Sequence, residues 1–256
     1  MSLYDTFRKQ IEEEAQVALA TLIAGPAGVG SKMLVYGDES VDGHLAAGEL
    51  SRRVAGDAMR LLREERPETV EYELPEGRFA VFIDVYPVLP QILIVGATHA
   101  AIPLSEFARA LGYRVVVVDA RGAFARPERF PHADQVIKGW PQDVLPGLRL
   151  DESTYVVLLS HDPKFDEPTL HHVLPSKVRY IGAIGSRKTQ QQRFKRLRLE
   201  GFTEEQLQRV YGPVGLDLGG RTAEETALAI LSEITAVRYG REGGFMRRKR
   251  ENLVPA

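Results

Sequence analysis

Two glycine-bearing segments in the last third of the chain carry the residue types that bind anions. They are YIGAIGSRK at positions 180–188 and GPVGLDLGGRTAEETALAIL at positions 212–231. In the first, Gly185 follows a strand-like run, Ser186 can cap a new helix and Arg187 adds a cation. The free backbone N–H groups of a helix N-terminus attract negative charge. Two such turns predict recognition of a phosphate or a dinucleotide.

The second segment combines permissive and charged positions before another helix. Gly215 permits backbone conformations closed to other residues, and Asp217 and Arg221 can contact a ligand or each other. Thr222 with Glu225 forms a capping box, which predicts the start of the last helix. A purely structural loop is the alternative interpretation.

A third turn lies where a dinucleotide-binding domain carries its glycine fingerprint. The apolar run ILIV at 92–95 leads into GATHAA at 96–101. Only the first glycine of the fingerprint is present, and Thr98 in the second position weakens NAD binding in the usual pose. Asp119 ends the next strand, where an acid can bind a ribose hydroxyl, whereas Arg121 favours a phosphate. Ordinary NAD(P) binding, another nucleotide-like ligand and a merely tight turn all remain open.

The sequence SHD at positions 160–162 contains the members of a hydrolase triad without its geometry. Adjacent residues in an extended segment point to alternate faces, so they cannot relay a proton. His161 and Asp162 nevertheless follow the run YVVLL and are predicted at a strand's carboxyl end. His161 can donate to a phosphate, bind a pterin edge, act as an acid or base, or simply hydrogen-bond within its turn. No metal site is predicted, because the neighbouring carboxylates and histidines lack a recognised ligand spacing.

The segment GPAGVGSK at 25–32 resembles a phosphate-binding P-loop with its last two residues transposed. A strand-like run, KMLVY, comes directly after it instead of the helix that would hold phosphate. We therefore interpret it as a glycine-rich connection between two strands.

The pattern of elements divides the chain near residue 88. Residues 1–88 predict a small α+β domain with helices at 4–16 and 46–65 and strands at 17–25, 32–36, 70–74 and 79–85. Residues 89–256 alternate strands at 92–95, 115–118, 135–138, 155–159 and 178–184 with helices at 103–111, at 166–173 and from 186. This second part is predicted to be a Rossmann-like, doubly wound parallel sheet. Ligands of such α/β folds bind beyond the carboxyl ends of the strands.

Composition indicates an ordinary soluble protein: 256 residues, 44% hydrophobic and 27% charged. Thirty-three basic against 35 acidic residues leave no face that would gather nucleic acid. No apolar run approaches a membrane span, and the N-terminal segment begins with charge rather than a signal-peptide core. The absence of cysteine excludes disulfides and thiolate metal sites, and a cytoplasmic location is expected. The basic run at 247–250 is interpreted as a solvated end.

Three segments carry a resemblance to a known family. SHDPKFDEPTL at 160–170, YIGAIGSRK, and PVGLDLGGRTAEETALAILSEI at 213–234 resemble the XdhC/CoxI family, accessory proteins for molybdenum hydroxylases such as xanthine dehydrogenase. The resemblance extends over about residues 17–238, with VVVVDARGAFARPERFPHAD at 115–134 in support. It implies a small N-terminal domain followed by a Rossmann domain. It also implies that the protein binds the molybdenum cofactor, as molybdopterin or its dinucleotide, protects it and inserts it into the hydroxylase large subunit.

Such a role suits the anion-binding turns, because a phosphorylated pterin carrier needs a cleft and no nucleophile. The resemblance assigns cofactor binding, and no catalytic or metal-ligating role, to Gly96, His99, Asp119, Arg121, His161, Asp162, Gly185, Ser186, Arg187, Gly215, Asp217 and Arg221. A homodimer is also expected. An NAD(P)-dependent oxidoreductase with His161 as proton donor is the alternative, and only that alternative makes the protein an enzyme.

The sequence departs from the family pattern at two places. Thr98 stands where many relatives have glycine, and Ala47-Gly48-Glu49 stands where they have Gly-Gly-Cys. A thiolate contact to molybdenum from position 49 is therefore excluded. The carboxylate of Glu49 is either a harder ligand or a first-turn acid that the helix dipole stabilises.

Overall fold

The computed structural model describes residues 2–13 and 15–247 of the chain. These residues form two compact units that divide between Val88 and Leu89. Positions 248–250, which complete the basic run that begins at Arg247, lie outside the described residues. In the described ranges no helix has the length and apolar character needed to span a membrane.

The first unit is a five-stranded antiparallel sheet with one long amphipathic helix. Its elements are α1 Leu3–Glu12, β1 Val17–Ala24, β2 Lys32–Tyr36, β3 Val41–Gly43, α2 Gly48–Glu64, β4 Glu68–Leu74 and β5 Gly77–Tyr86. The strands lie in the order β3-β2-β1-β5-β4. Helix α2 buries side chains at helical spacing against the sheet: Leu50, Val54, Ala58, Leu61 and Leu62. This packing gives the first unit a hydrophobic core of its own.

The glycine-rich segment at 25–31 connects two antiparallel neighbours. Val17 of β1 pairs with Tyr36 of β2, and Thr21 pairs with Lys32. The Gly30 N–H donates to the carbonyl of Leu22 at 2.8 Å, which closes the connection. The interpretation of this segment as a link between two strands is confirmed, and β2 stands where a P-loop would need a helix to hold phosphate.

The second unit is a six-stranded parallel sheet with helices on both faces. Its strands are β6 Gln91–Val95, β7 Arg114–Asp119, β8 Gln135–Lys138, β9 Thr154–Leu158, β10 Tyr180–Ala183 and β11 Val210–Tyr211. Its helices are α3 Ala101–Ala110, α4 Pro141–Val144, α5 Pro163–Val173, α6 Arg187–Leu199, α7 Glu204–Gln208 and α8 Ala223–Arg238. The spatial order β8-β7-β6-β9-β10-β11 is the 3-2-1-4-5-6 order of a dinucleotide-binding fold. The predicted fold class is confirmed.

The alternation of buried side chains along the central strands explains the two helical layers. Ile92 and Ile94 of β6 pack in one cluster with α3 and α8, while Leu93 and Val95 pack in the opposite cluster with α5. Because β6 is covered on both faces, its sequence is a continuous apolar run. The strand order reverses between β6 and β9, and such folds bind ligands at this switch point.

Several element boundaries differ from the predicted ones. Helix α1 ends at Glu12 rather than at position 16, and α5 begins at Pro163 rather than at 166. Proline is favoured in the first turn of a helix, and Asp162 caps α5 directly before it. Strands β3 and β11 were not predicted, because runs of three and two residues carry no measurable alternation.

Candidate functional site

Gly96 directly follows β6 at the switch point of the parallel sheet. Its φ of 103° lies in the region that favours glycine. A Cβ at this position would lie 2.7 Å from the backbone nitrogen of Ser160 and 2.9 Å from its Cα. The turns after β6 and β9 are therefore packed backbone against backbone, and only glycine fits between them.

The turn after Gly96 uses most of its own N–H groups. The Thr98 N–H donates to the carbonyl of Gly96 at 2.9 Å, and the Ala101 N–H to that of Thr98 at 3.2 Å. The Ile102 N–H donates to the carbonyl of His99 at 3.3 Å, and the His99 side chain is exposed at the start of α3. The turn thus offers fewer free donors than the pyrophosphate-binding loop of an NAD enzyme.

Asp119 at the end of β7 is fully buried, and its carboxylate links the turn after β6 to Arg121. Its carboxylate accepts the N–H of Ala97 at 2.7 Å, the N–H of Arg121 at 2.8 Å, and two guanidinium hydrogen bonds at 2.9 and 2.6 Å. Burial alone raises the pKa of Asp119, but these hydrogen bonds outweigh it and lower the pKa below the ordinary value. The buried carboxylate therefore uses its hydrogen bonds on groups of the protein itself and does not face a ribose hydroxyl. This arrangement does not favour the NAD(P) alternative.

The turn after β9 holds a strained histidine and a capping aspartate. His161 is exposed and has a φ of 57°, in the left-handed region that few residues other than glycine adopt. The carboxylate of Asp162 accepts the N–H of Lys164 at 3.0 Å and caps α5. The Ser160 hydroxyl donates to Asp166 at 2.6 Å and does not contact His161. The Ser160 hydroxyl is thus held by an acid of α5.

A buried ionic network braces the same turn. Asp166 accepts the Ser160 hydroxyl on one oxygen and Arg193 of α6 on the other, at 2.5 Å. Both side chains of the ion pair are at most 4% exposed. Arg193 also donates to Gln190, which in turn donates to the carbonyl of Ala183 at the end of β10. The network ties α5, α6 and two strand ends together.

Arg193 was not among the site residues predicted from the sequence. A usable signal was present, because Gln190, Arg193 and Leu197 recur at the spacing of one helical face and all three are buried. A cation on an otherwise buried face requires an acid on a facing element. That acid is Asp166, 27 positions earlier in the chain.

The turn after β10 leaves backbone donors and cations free. Gly185 has a φ of 133°, and the Ser186 hydroxyl accepts the N–H of Thr189 at 3.1 Å as the cap of α6. Within the described chain, neither the N–H groups nor the exposed side chains of Arg187 and Lys188 have a hydrogen-bond or ion-pair partner. A neutral cap, two free N–H groups and two cations make this turn a good anion site.

The turn before α8 is different, because a carboxylate already occupies it. Glu225 accepts the N–H groups of Arg221 and Thr222 at 2.7 and 2.9 Å, and these bonds lower its pKa. Asp217 and the Arg221 side chain are exposed, and no ion pair joins them in the part of the chain that the structure describes. The two glycine-bearing turns, which were both considered as anion sites, therefore differ. The negative charge at Glu225 disfavours an anion here.

A second, partly buried network anchors the Gly215 loop. Glu233 of α8 accepts both the Tyr180 hydroxyl and, at 3.0 Å, the N–H of Gly215. Burial and the carboxylate of Glu233 raise the pKa of Tyr180 well above its usual value. Gly215 has a φ of 95°, and a Cβ there would lie 3.2 Å from the backbone of Ala229. The loop thus rests directly on α8.

The predicted site residues fall into two groups. Those at the ends of β6, β7, β9 and β10 share one edge of the sheet: Gly96, His99, Asp119, Arg121, His161, Asp162, Gly185, Ser186 and Arg187. Gly215 lies beside the end of β10, because Val214 donates to the carbonyl of Ala183 at 3.2 Å. Asp217 and Arg221 lie beyond it, with exposed side chains.

Glu49 in the first unit is a paired helix-start acid. It lies in the first turn of α2 and accepts hydrogen bonds from Arg52 at 2.6 Å and from Arg53 at 3.0 Å. The described residues contain no group of three or more His, Cys, Asp or Glu side chains arranged to hold a metal. Of the two interpretations of Glu49, the structure favours the first-turn acid.

Two family profiles match the chain. The one described as the XdhC Rossmann domain matches residues 92–234, more than half of the chain, and the one described as the XdhC and CoxI family matches residues 10–73. The chain belongs to the XdhC/CoxI family. The resemblance predicted from its motifs is confirmed.

Curated relatives of this XdhC/CoxI chain include three bacterial proteins. "Uncharacterized protein YqeB" of Escherichia coli is 24% identical over 96% of this chain and 48% of its own length. A Bacillus subtilis protein named as a probable xanthine dehydrogenase subunit is 30% identical over 62% of this chain and 46% of its own. "Molybdenum cofactor insertion chaperone PaoD" of E. coli is 34% identical over 37% of this chain and 30% of its own. The chain therefore spans less than half the length of each.

A solved structure shares the fold of this family member. It is described as a xanthine dehydrogenase from Bacillus halodurans, and it aligns with 94% of this chain and 97% of its own at a TM-score of 0.54. The sequence identity is 20%. The similarity therefore supports the fold of the XdhC/CoxI chain and nothing finer.

Proposed function

We propose that this protein binds the molybdenum cofactor, protects it, and inserts it into a molybdenum hydroxylase of the xanthine dehydrogenase type. The observation that carries the proposal is membership of the XdhC/CoxI family across both units. The relatives named for xanthine dehydrogenase and for molybdenum cofactor insertion support it. The client enzyme, a homodimeric state and a cytoplasmic location belong to the same proposal.

The donors at the edge of the parallel sheet fit a phosphorylated ligand. Arg187 and Lys188 combine free N–H groups with uncompensated charge, and a phosphate at a helix start gains from both. The chain has no cysteine and no described metal-ligating cluster, so the residues present fit the phosphate and ring of the cofactor rather than its metal. When bound, the cofactor supplies the molybdenum chemistry of the client enzyme.

The protein's own residues would hold and release the ligand. Arg187 and Lys188 bind the phosphate, and the packed turns at Gly96 and Ser160 shape the floor of the site. The exposed His161 lies at this floor on a fixed turn, where it can donate a hydrogen bond to the ligand. Asp119 and Asp166 act indirectly, since each holds a cation and a turn in place.

Activation of a client enzyme tests the proposal. A host that makes the cofactor and one molybdenum hydroxylase is compared with and without this gene, with hydroxylase activity and hydroxylase protein level both measured. We expect the deletion to lower activity at an unchanged level of hydroxylase protein. We expect the wild-type gene to restore activity, and a gene with both Arg187→Ala and Lys188→Ala to fail. Full activity in the deletion strain would refute the proposal.

A further inference from the structure

Helix α8 presents an uncharged face to solvent, which we call the outer face of α8. Its members recur at the spacing of one helical face: Leu228, Ser232, Thr235 and Tyr239, the last of which caps the helix. Leu228 is 53% exposed and Tyr239 is 55% exposed. A surface helix usually directs charged side chains outward, as α6 of the same unit does with several cations. An exposed face without charge is instead typical of a surface that meets a partner.

Two charged residues lie within the same stretch of α8 but face elsewhere. Glu233 accepts hydrogen bonds from the Tyr180 hydroxyl and the Gly215 N–H. The guanidinium carbon of Arg238 lies 5.3 Å from the centre of the Tyr113 ring. The outer face therefore stays uncharged from Leu228 to the end of the helix, a length of about 16 Å.

The two ends of the outer face carry charges of opposite sign. Glu224 is exposed one helical turn before Leu228, and Arg241 is exposed shortly after the helix ends. Neither side chain has an ion-pair partner among the described residues. The other charged residues at the ends leave the net signs unchanged: Arg221 and Glu225 at the first end, Arg238 and Glu242 at the second.

A face with an acidic and a basic end is complementary to itself when it is reversed. A two-fold axis near Ser232 sets two α8 helices antiparallel, so that Glu224 of each copy meets Arg241 of the other. Leu228 of each copy then packs beside Thr235 of the other. The small side chains at the centre let the two helices approach closely.

The segments that flank α8 add apolar surface to the outer face. A stable interface buries about 800 Å² on each partner, which requires more than one helix. In the loop before α8, the Leu216 N–H donates to the carbonyl of Ala229 at 3.1 Å, and Leu218 beyond it is 54% exposed. The chain after α8 returns past this loop, because a Cβ at Gly243 would lie 3.3 Å from the Leu216 side chain. Met246, three positions later, is 81% exposed.

We propose that the outer face of α8, with Leu218 and Met246 beside it, is the surface on which two copies of this chain pair antiparallel. The inference rests on the homodimeric state within the proposed function and goes beyond it, because it assigns the interface to named residues. Glu233 of the same helix holds the Gly215 loop, so pairing of two α8 helices also braces that loop.

The mass of the full-length protein in solution gives the first test. Light scattering after gel filtration should give twice 28.5 kDa at micromolar concentration. Leu228→Arg places an unpaired cation in the outer face of both copies, and we expect the dissociation constant of the dimer to rise about 100-fold or more. A monomeric wild type, or a dimer that Leu228→Arg leaves intact, would overturn the inference.

A matched control separates the interface from a general effect of the new charge. Leu199→Arg makes the same substitution at a leucine of α6 that is 82% exposed, and it should leave the dimer intact. Circular dichroism checks that both variants fold. If Leu199→Arg dissociated the dimer as strongly as Leu228→Arg, the assignment to α8 would be wrong.

Charge reversal tests the antiparallel arrangement. Glu224→Arg and Arg241→Glu should each weaken the dimer, because like charges then meet across the axis. The double variant should recover the affinity that either single change loses, since the reversed charges are again complementary. A double variant that binds no more tightly than the single variants would contradict the arrangement.

The absence of cysteine allows a direct test of the position of the axis. Ser232→Cys introduces a single thiol near the axis, and oxidation with copper phenanthroline should link two copies through a disulfide. Lys195→Cys on the exposed surface of α6 is the control and should remain largely unlinked. Equal linkage in the two variants would overturn the inference.

The interface and the proposed function fail separately. If the protein is a monomer but hydroxylase activity depends on its gene, the interface is wrong and the proposed function stands. If the dimer forms through α8 but the cofactor is never retained and the hydroxylase does not depend on the gene, the interface stands and the proposed function is wrong.

Discussion

The carboxylate of Asp119 holds the guanidinium of Arg121 through two hydrogen bonds at 2.9 and 2.6 Å, and the acid is fully buried while the base is partly exposed. The same carboxylate accepts the N–H of Ala97 in the turn after β6. A position that often binds a ribose in this fold is thus used to fix a cation and a turn. Of the two side chains, only that of Arg121 is exposed.

The ion pair of Asp119 and Arg121 makes a contribution to folding stability that depends on pH. The folded-state pKa of Asp119 is lowered, so its stabilising effect is complete above the unfolded-state value of about 4 and is lost as pH falls towards the folded value. We expect Asp119→Asn to destabilise the protein at pH 7, and the difference from wild type to shrink below pH 4. Urea unfolding at a series of pH values measures both effects. A difference that grows as pH falls would contradict the assignment.

The buried pair of Asp166 and Arg193 should be far more sensitive than surface pairs. Arg193→Met leaves a buried carboxylate without its cation, and we expect a loss of about 3 to 5 kcal/mol in the free energy of unfolding. Arg196→Met, one helical turn away, breaks the exposed pair with Glu167 and should cost less than about 1 kcal/mol. Chemical denaturation of both variants gives the comparison. Equal losses would mean that the network does not brace the site.

The contact between Gly96 and Ser160 predicts a position-specific penalty for a methyl group. Gly96→Ala adds both left-handed strain and a clash with backbone, whereas Gly112→Ala at a φ of 81° meets open space. We expect about 1 to 2 kcal/mol of destabilisation from strain at Gly112, and clearly more at Gly96. Thermal and urea unfolding of the two variants test this. If Gly112→Ala proved as damaging as Gly96→Ala, close packing of the two turns would not be the cause.

Much of the fold could be predicted from the sequence, because its causes are local. The strands that are buried on both faces are continuous apolar runs in the sequence, and the capping box predicted at Thr222 is present in the structure. The strand pair around the glycine-rich segment at 25–31 was also predicted, from the strand-like run KMLVY on its carboxyl side. Very short strands and helix ends were not, since they depend on neighbours rather than on their own pattern.

The site was predicted less well, because its chemistry depends on partners distant in the sequence. Nothing in the segment around Asp119 shows that its carboxylate is used internally. The capping box at Thr222 implied that Glu225 accepts the N–H of Thr222, but not that it also accepts the N–H of Arg221. The same limit hid the pairing of Asp166 with Arg193. The sequence shows where the charged residues lie along the chain. Only the folded structure shows which of them have no partner within the protein.

The two glycine turns should therefore differ in their contribution to ligand binding. We expect Arg187→Ala to weaken binding of the cofactor by about 1 to 3 kcal/mol through loss of a charge-assisted contact. Arg221→Ala should have a smaller effect, because Glu225 keeps negative charge at that turn. Lys195→Ala is the control for removal of an exposed cation. Competition binding with a molybdopterin-type ligand measures all three, and a larger effect at Arg221 than at Arg187 would reverse the assignment.

Mass spectrometry of the small molecules released from the natively purified protein tests the central claim most directly. The protein is produced in a host that makes the molybdenum cofactor, beside the Arg187→Ala/Lys188→Ala double variant and the Lys195→Ala control. We predict a phosphorylated pterin from the wild type and the control, and its loss from the double variant. Release of NAD(P) in its place, or of no pterin from the wild type, would contradict the account.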